Sequence, residues 1–309
     1  MKRLIYIESV VLAGIVLLFG AAAYQRNFVW KDDLSLWQDV VKKSPESYRP
    51  HHALGLAYSH SKLYALAIKE YQQALSIRPL SPKTHVNIGR VYEKMGQDEL
   101  AMIEYKKALR MDTNDYKAHI NLGDIYRKKG LTDLALKEFM TALKINLQAL
   151  DAYNALGGLY LDMGLTDLAI KEYKKILQIA PGNERAYYNL GIAYDVKGLS
   201  EEATHHYKKA LDIRPDYPEA LSNIGILYGK LGRLEEAIGF FKRALNKEPD
   251  DTITLFNIGL AYEQLAKRKE HRAESIELRV KAVRTYEKIL NLEPDNAGAK
   301  DRMEKISNK

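Results

Sequence analysis

Asparagine stands two residues ahead of a recurring glycine at Asn87, Asn121, Asn189, Asn223 and Asn257, and Asn154 lies beside a gap in that column at Ala155. A primary amide offers one acceptor and two donors, enough to grip a peptide backbone group without reading its side chain. A row of such amides suits an extended chain of loose sequence; the competing reading is that each amide only bonds a neighbouring helix. Around the column the charge changes sign. Arg49, Lys83, Arg90, Lys94, Lys117, Arg127 and Lys128 stand against Glu93 and Asp124, a balance of +5. Further on, Asp151, Asp162, Asp195, Glu219 and Glu263 stand against Arg185 and Lys230, a balance of −3. Opposed patches of this kind steer and orient a partner more than they add affinity. The candidate contact set is therefore Asn87, Asn121, Asn154, Asn189, Asn223 and Asn257 with Arg49, Lys83, Arg90, Lys117 and Arg127. The expected guest is a protein or extended peptide whose acidic part lies toward the N-terminal end.

Other chemistry is thinly represented. His51-His52 and His205-His206 are adjacent pairs, which on a helix point about 100° apart and chelate one ion poorly. His51, His85 and His119 share a column with Tyr153 and Tyr187, so they read as packing residues. The chain has no cysteine, which excludes disulfides, thiolate metal sites and cysteine nucleophiles. No glycine-rich phosphate loop, HExxH or GxSxG occurs. The sequence points to no catalytic residue, metal, cofactor or small-molecule substrate, and to a protein that is not an enzyme. Its 47 basic and 40 acidic residues are interleaved and leave only +7. A nucleic-acid binder more often shows a one-signed stripe, and the acidic later half argues against a helical-repeat reader of RNA.

The elements that must position these residues follow from a period of 34. Glycine recurs at Gly55, Gly89, Gly123, Gly157, Gly191, Gly225 and Gly259, each followed after three residues by tyrosine, from Tyr58 to Tyr262. Alanine follows at Ala67, Ala101, Ala135, Ala169, Ala203 and Ala237, and an aromatic four residues later, from Tyr71 to Phe241. Ala101, Tyr105, Ala108 and Leu109 fall at i, i+4, i+7 and i+8, one apolar stripe of a helix. Small residues facing a partner helix let the two backbones approach, while glycines at 96, 130, 164, 198 and 232 stand where a first helix should stop in a left-handed cap. No pair can bury its stripe alone, so stacking supplies the core.

This period and pattern resemble the tetratricopeptide repeat. The resemblance implies an all-α, right-handed superhelical solenoid of seven repeats, with first helices lining a concave binding face. The units run over 48–81, 82–115, 116–149, 150–183, 184–217, 218–251 and 252–296. The last has Ala266 in place of the turn glycine and a charged insertion over 267–277, after which Ala282, Tyr286, Ile289 and Pro294 resume the pattern. Its two helices should lengthen; the plain reading of the insertion is a solvated extension without a partner. Residues 297–309 read as a polar capping helix. The Asn-Leu-Gly and Asn-Ile-Gly units are similar to the repeat region of O-GlcNAc transferase, whose asparagine ladder holds substrate peptides.

At the other end, Leu4 to Tyr24 carries Glu8 as its only formal charge. About 20 helical residues cross a bilayer core of ~30 Å. The expected arrangement is a cytoplasmic tip at 1–3, one transmembrane helix at 4–24, and a juxtamembrane segment with a half-repeat helix at 25–47. Ala21-Ala22-Ala23 leaves a cleaved signal peptide as an alternative, and a buried helix as another. Lys2 and Arg3 outweigh the flank after the span, which places the N-terminus in the cytoplasm and the repeats outside, in the periplasm of a Gram-negative cell. Arg26-Asn27-Phe28-Val29-Trp30, Leu36-Trp37, Pro45 and Leu54-Gly55 resemble the span-to-repeat junction of transmembrane and tetratricopeptide-containing O-mannosyltransferases, although the multi-span catalytic half has no counterpart here. The expected function is a membrane-anchored interaction scaffold, for example in assembly of an envelope complex, with the targeting part of a membrane O-glycosyltransferase as the alternative.

Overall fold

The computed structural model describes residues 31–307; the expected transmembrane segment and the Arg26–Trp30 stretch lie outside them. Among the described residues the regular elements are sixteen helices, and none is long and apolar enough to cross a membrane. The chain forms two compact units, one up to Leu147 and one from Gln148 onward.

The N-terminal unit holds α1 (Asp33–Lys43), α2 (Tyr48–His60), α3 (Tyr64–Ile77), α4 (Pro82–Lys94), α5 (Asp98–Met111), α6 (Tyr116–Lys128) and α7 (Thr132–Ile145). The C-terminal unit holds α8 (Leu150–Asp162), α9 (Thr166–Ile179), α10 (Glu184–Val196), α11 (Ser200–Ile213), α12 (Pro218–Lys230), α13 (Leu234–Leu245), α14 (Thr252–Arg268), α15 (Arg272–Leu292) and α16 (Ala297–Ser307).

Local chemistry sets the helix ends. Asp115 and Asp251 accept backbone N–H groups of the first turns of α6 and α14, Asn183 does so for α10, and Pro82 and Pro218 open α4 and α12, where a missing N–H costs nothing. The turn after α4 shows how each pair is folded back. Gly96 lies at φ +72°, its N–H donates to Glu93 O at 3.0 Å, and the next N–H, of Gln97, reaches Tyr92 O at 2.9 Å. This is a Schellman closure, and it recurs at Gly130, Gly164, Gly198 and Gly232. In the first pair the same left-handed position is held by Lys62 at φ 60°.

The helices of a pair meet through glycine and an aromatic ring. A Cβ added at Gly89 would lie 2.6 Å from Tyr105, and one at Gly123 would lie 2.5 Å from Phe139. Gly157, Gly225 and Gly259 press in the same way on Tyr173, Phe241 and Tyr286. The alanines beside these rings, Ala101, Ala108, Ala135 and Ala142 among them, are fully enclosed.

Where Ala266 replaces the turn glycine, α14 runs on to 17 residues and α15 has 21. Ser275 Oγ closes their connection by donating to Ala266 O at 2.9 Å. The last helix, α16, packs on α15, and Arg302 reaches back from it to Glu263 on α14.

Candidate peptide-binding face

In the N-terminal unit, the first helices α2, α4 and α6 line an open concavity of about 690 Å³. Arg49, Lys83, Arg90 and Lys117 border it, all of them exposed and none making an ion pair among the described residues. Arg78 joins them, its guanidinium 5.5 Å from the centre of the Tyr48 ring. Two carboxylates share the rim. Asp115 accepts the N–H groups of Lys117 and Ala118 at 3.0 and 3.1 Å, and Asp112 accepts that of Asn114 at 2.9 Å. Both accept backbone N–H groups, and the hollow keeps an excess of cations, five against two.

Asn87 lies at its centre. Its Nδ2 donates to His52 Nε2 at 3.1 Å, which requires a neutral imidazole protonated on Nδ1. Burial and then the charge of Lys83 hold the His52 pKa below its ordinary value, in agreement with that state. Asn87 therefore keeps its carbonyl oxygen and second N–H for another partner. Asn121 and Arg127 lie on α6, half-buried, and do not border the hollow.

In the C-terminal unit, Asn189 Nδ2 donates to Asn154 Oδ1. Asn223 Nδ2 lies 3.4 Å from the Tyr188 hydroxyl and 3.3 Å from that of Tyr207. Asn257 borders a small hollow beside Phe241 and Gln264. Three amides of the column, Asn87, Asn189 and Asn223, thus bond a residue 35 positions earlier. They tie successive first helices together, as the competing reading of the column expected.

Acids and bases follow the same spacing. Lys128 reaches Glu93 at 3.1 Å, and Lys230 reaches Asp195 at 3.5 Å. Glu263 departs from the expectation that it faces the groove. It is 7% exposed, takes both guanidinium nitrogens of Arg302 at 2.8 Å, and accepts the Tyr286 hydroxyl at 2.7 Å. A charge buried this deeply persists only with such partners.

The histidines of the column pack, His51 and His85 being buried, and they also bond. His51, His85 and His119 each place Nδ1 within hydrogen-bond distance of a glutamate 19 residues on, Glu70, Glu104 and Glu138, at 2.6, 2.6 and 2.5 Å. His51 Nε2 meets Pro45 O at 2.8 Å and His119 Nε2 meets Thr113 O at 3.1 Å, so both rings are held at both nitrogens. His206, stacked on Tyr194 with centroids 5.0 Å apart, is instead pushed down to about 4 by burial and then by His205.

Tyr48, His52 and Arg78 carry no repeat signature. The one signal that would find His52 is its place 35 residues before Asn87, a contact visible only once two first helices are set side by side.

Models of the tetratricopeptide repeat match residues 48–79, 82–115 and 116–148, and others match 148–216 and 198–254. The chain belongs to the tetratricopeptide-repeat family. A further repeat model of the same kind matches residues 64–96, whereas no curated protein matches. Among solved structures the chain is similar to a tetratricopeptide repeat protein from Parabacteroides merdae, at 18% identity over 84% of this chain and 99% of that one, with a TM-score of 0.63. It is also similar to the Cut9–Hcn1 hetero-tetramer of the APC/C, at 18% identity over 94% of this chain and 55% of that one, with a TM-score of 0.65. MamA aligns at 32% identity over 52% of this chain and 95% of that one, with a TM-score of 0.47. At 18% identity the first two show a shared tetratricopeptide fold. Repeats of this family typically form non-catalytic scaffolds that bind proteins or peptides.

Proposed function

We propose that this tetratricopeptide protein is a membrane-anchored scaffold that holds an acidic, extended segment of a partner protein against α2, α4 and α6. The observation that carries this reading is the hollow in the N-terminal unit, where four exposed cations without ion pairs surround the Asn87 amide. Lys and Arg in such numbers attract carboxylate side chains from a distance, and the amide suits a backbone group of the same guest. In the C-terminal unit Asn189 gives one N–H to Asn154 and keeps the other, which extends the reading to a longer guest.

Association with an acidic peptide such as oligoglutamate tests this. Changing Arg49, Lys83, Arg90 and Lys117 to Gln should lower the on-rate about tenfold or more at low salt and bring it close to the high-salt rate of the unaltered chain. An on-rate unchanged by the four substitutions overturns the steering role.

Anchoring through residues 4–24, with the repeats outside the cytoplasm and a role in assembling an envelope complex, rests on their apolar composition and on Lys2 and Arg3. Alkaline extraction should leave the protein with the membrane fraction; release into the supernatant excludes an integral anchor.

A further inference from the structure

The charged insertion in the last repeat builds something the regular repeats lack. Because Ala266 supplies no stop, α14 continues to Arg268 and carries Lys267 past the usual turn. By the position of Arg279, α15 has already completed about two turns, so helix on both sides fixes where that side chain projects. The capping helix α16 brings Arg302, Lys305 and Ile306 to the same place. Together with Glu263 these residues enclose a hollow of about 110 Å³ in the C-terminal unit.

The charges in this hollow do not balance. Arg302 and Glu263 neutralise each other through a two-pronged contact at 2.8 Å, and the Tyr286 hydroxyl occupies Glu263 further. Lys305 pairs with Asp301 at 2.6 Å on its own helix. Lys267 and Arg279 have no carboxylate partner among the described residues. Arg279 is half-buried as a residue and borders the hollow beside Lys267, so two cations without a carboxylate meet there. The two cations left over match a dianion. Five guanidinium N–H groups in a planar fork suit a phosphate group, whose charge near neutral pH is about −1.5 to −2. The hollow, about 110 Å³, has room for a tetrahedral oxyanion.

We propose that Lys267, Arg279, Arg302 and Lys305 form a site for a phosphate dianion, supplied either as free phosphate or as the phosphomonoester head of a lipid. The site also gives the insertion a purpose. A bound dianion bridges α14, α15 and α16 and holds the capping helix on the end of the array.

The test uses the full chain in detergent, with its melting midpoint followed by circular dichroism at constant ionic strength. The probes are inorganic phosphate, dihexanoyl-phosphatidate and, as controls, acetate and dihexanoyl-phosphatidylcholine. Phosphate and phosphatidate should both raise the midpoint if free phosphate suffices, and phosphatidate alone if the headgroup is the source; the controls should do neither. Arg279→Gln should weaken the apparent affinity tenfold or more. Lys267→Gln, at an exposed position, should weaken it several-fold and serves as the second variant. No midpoint shift with either phosphate probe, or equal shifts in the unaltered chain and both variants, overturns the proposal.

Discussion

At His119 one hydrogen bond decides how a residue responds to pH. The Glu138 carboxylate, taking the Nδ1 proton, raises the imidazole pKa above its ordinary value; burial opposes this, and the Thr113 carbonyl and Asp115 add to it. A group held at a raised pKa contributes stability that is fully present below its unfolded value, about 6.5, and that fades as the pH climbs through the folded one. Glu138→Gln should therefore cost stability at pH 6 and progressively less toward pH 9, as measured by urea unfolding at several pH values. A loss that stays constant with pH would mean the pair works only as a neutral hydrogen bond. The histidine column itself is readable in the sequence, but its partners are not. A spacing of 19 residues spans two helices and a turn, so Glu70, Glu104 and Glu138 become partners only when the pair is folded back.

The helix pair is the level at which the sequence was most legible. Gly89 and Tyr105 are 16 residues apart in the chain, and the small residue on one helix admits the ring of the other. Gly89→Ala would press its new methyl against a ring that is itself 0% exposed and has nowhere to retreat. Overpacking of this kind costs about 1–3 kcal/mol, to be read from the shift of the urea midpoint at unchanged slope. The turn glycines were equally visible, since only glycine takes positive φ without strain. Lys62 was not, because nothing in its identity marks the left-handed conformation that the first turn imposes on it. The α14–α15 pair shows the converse: replacing a turn glycine with Ala266 lengthens both helices, and Lys267, gained there, joins Arg279 and the cations of α16 in the proposed anion site.

For the molecule as a whole, stability in stacked repeats is close to a sum of pair and neighbour contributions. Hydrogen exchange on the Gly89→Ala protein should then accelerate most in α4, α5 and the helices packed on them, and little in α14 to α16. Equal acceleration throughout would show one cooperative block. The sequence by itself determined the all-helical class, the repeat and its period, and the positions where helices of a pair touch. These are local or regularly spaced constraints, and each is written in the chain several times over. Only the tertiary structure decided which charges are left to bind a guest. Glu93, Asp195 and Glu263 look alike as groove acids in the sequence, yet they pair with Lys128, Lys230 and Arg302. Arg49, Lys83 and Arg90 keep their charge open to the hollow. The reason is electrostatic: whether a charge is spent depends on the distance to a partner about 35 or more residues away, and stacking sets that distance.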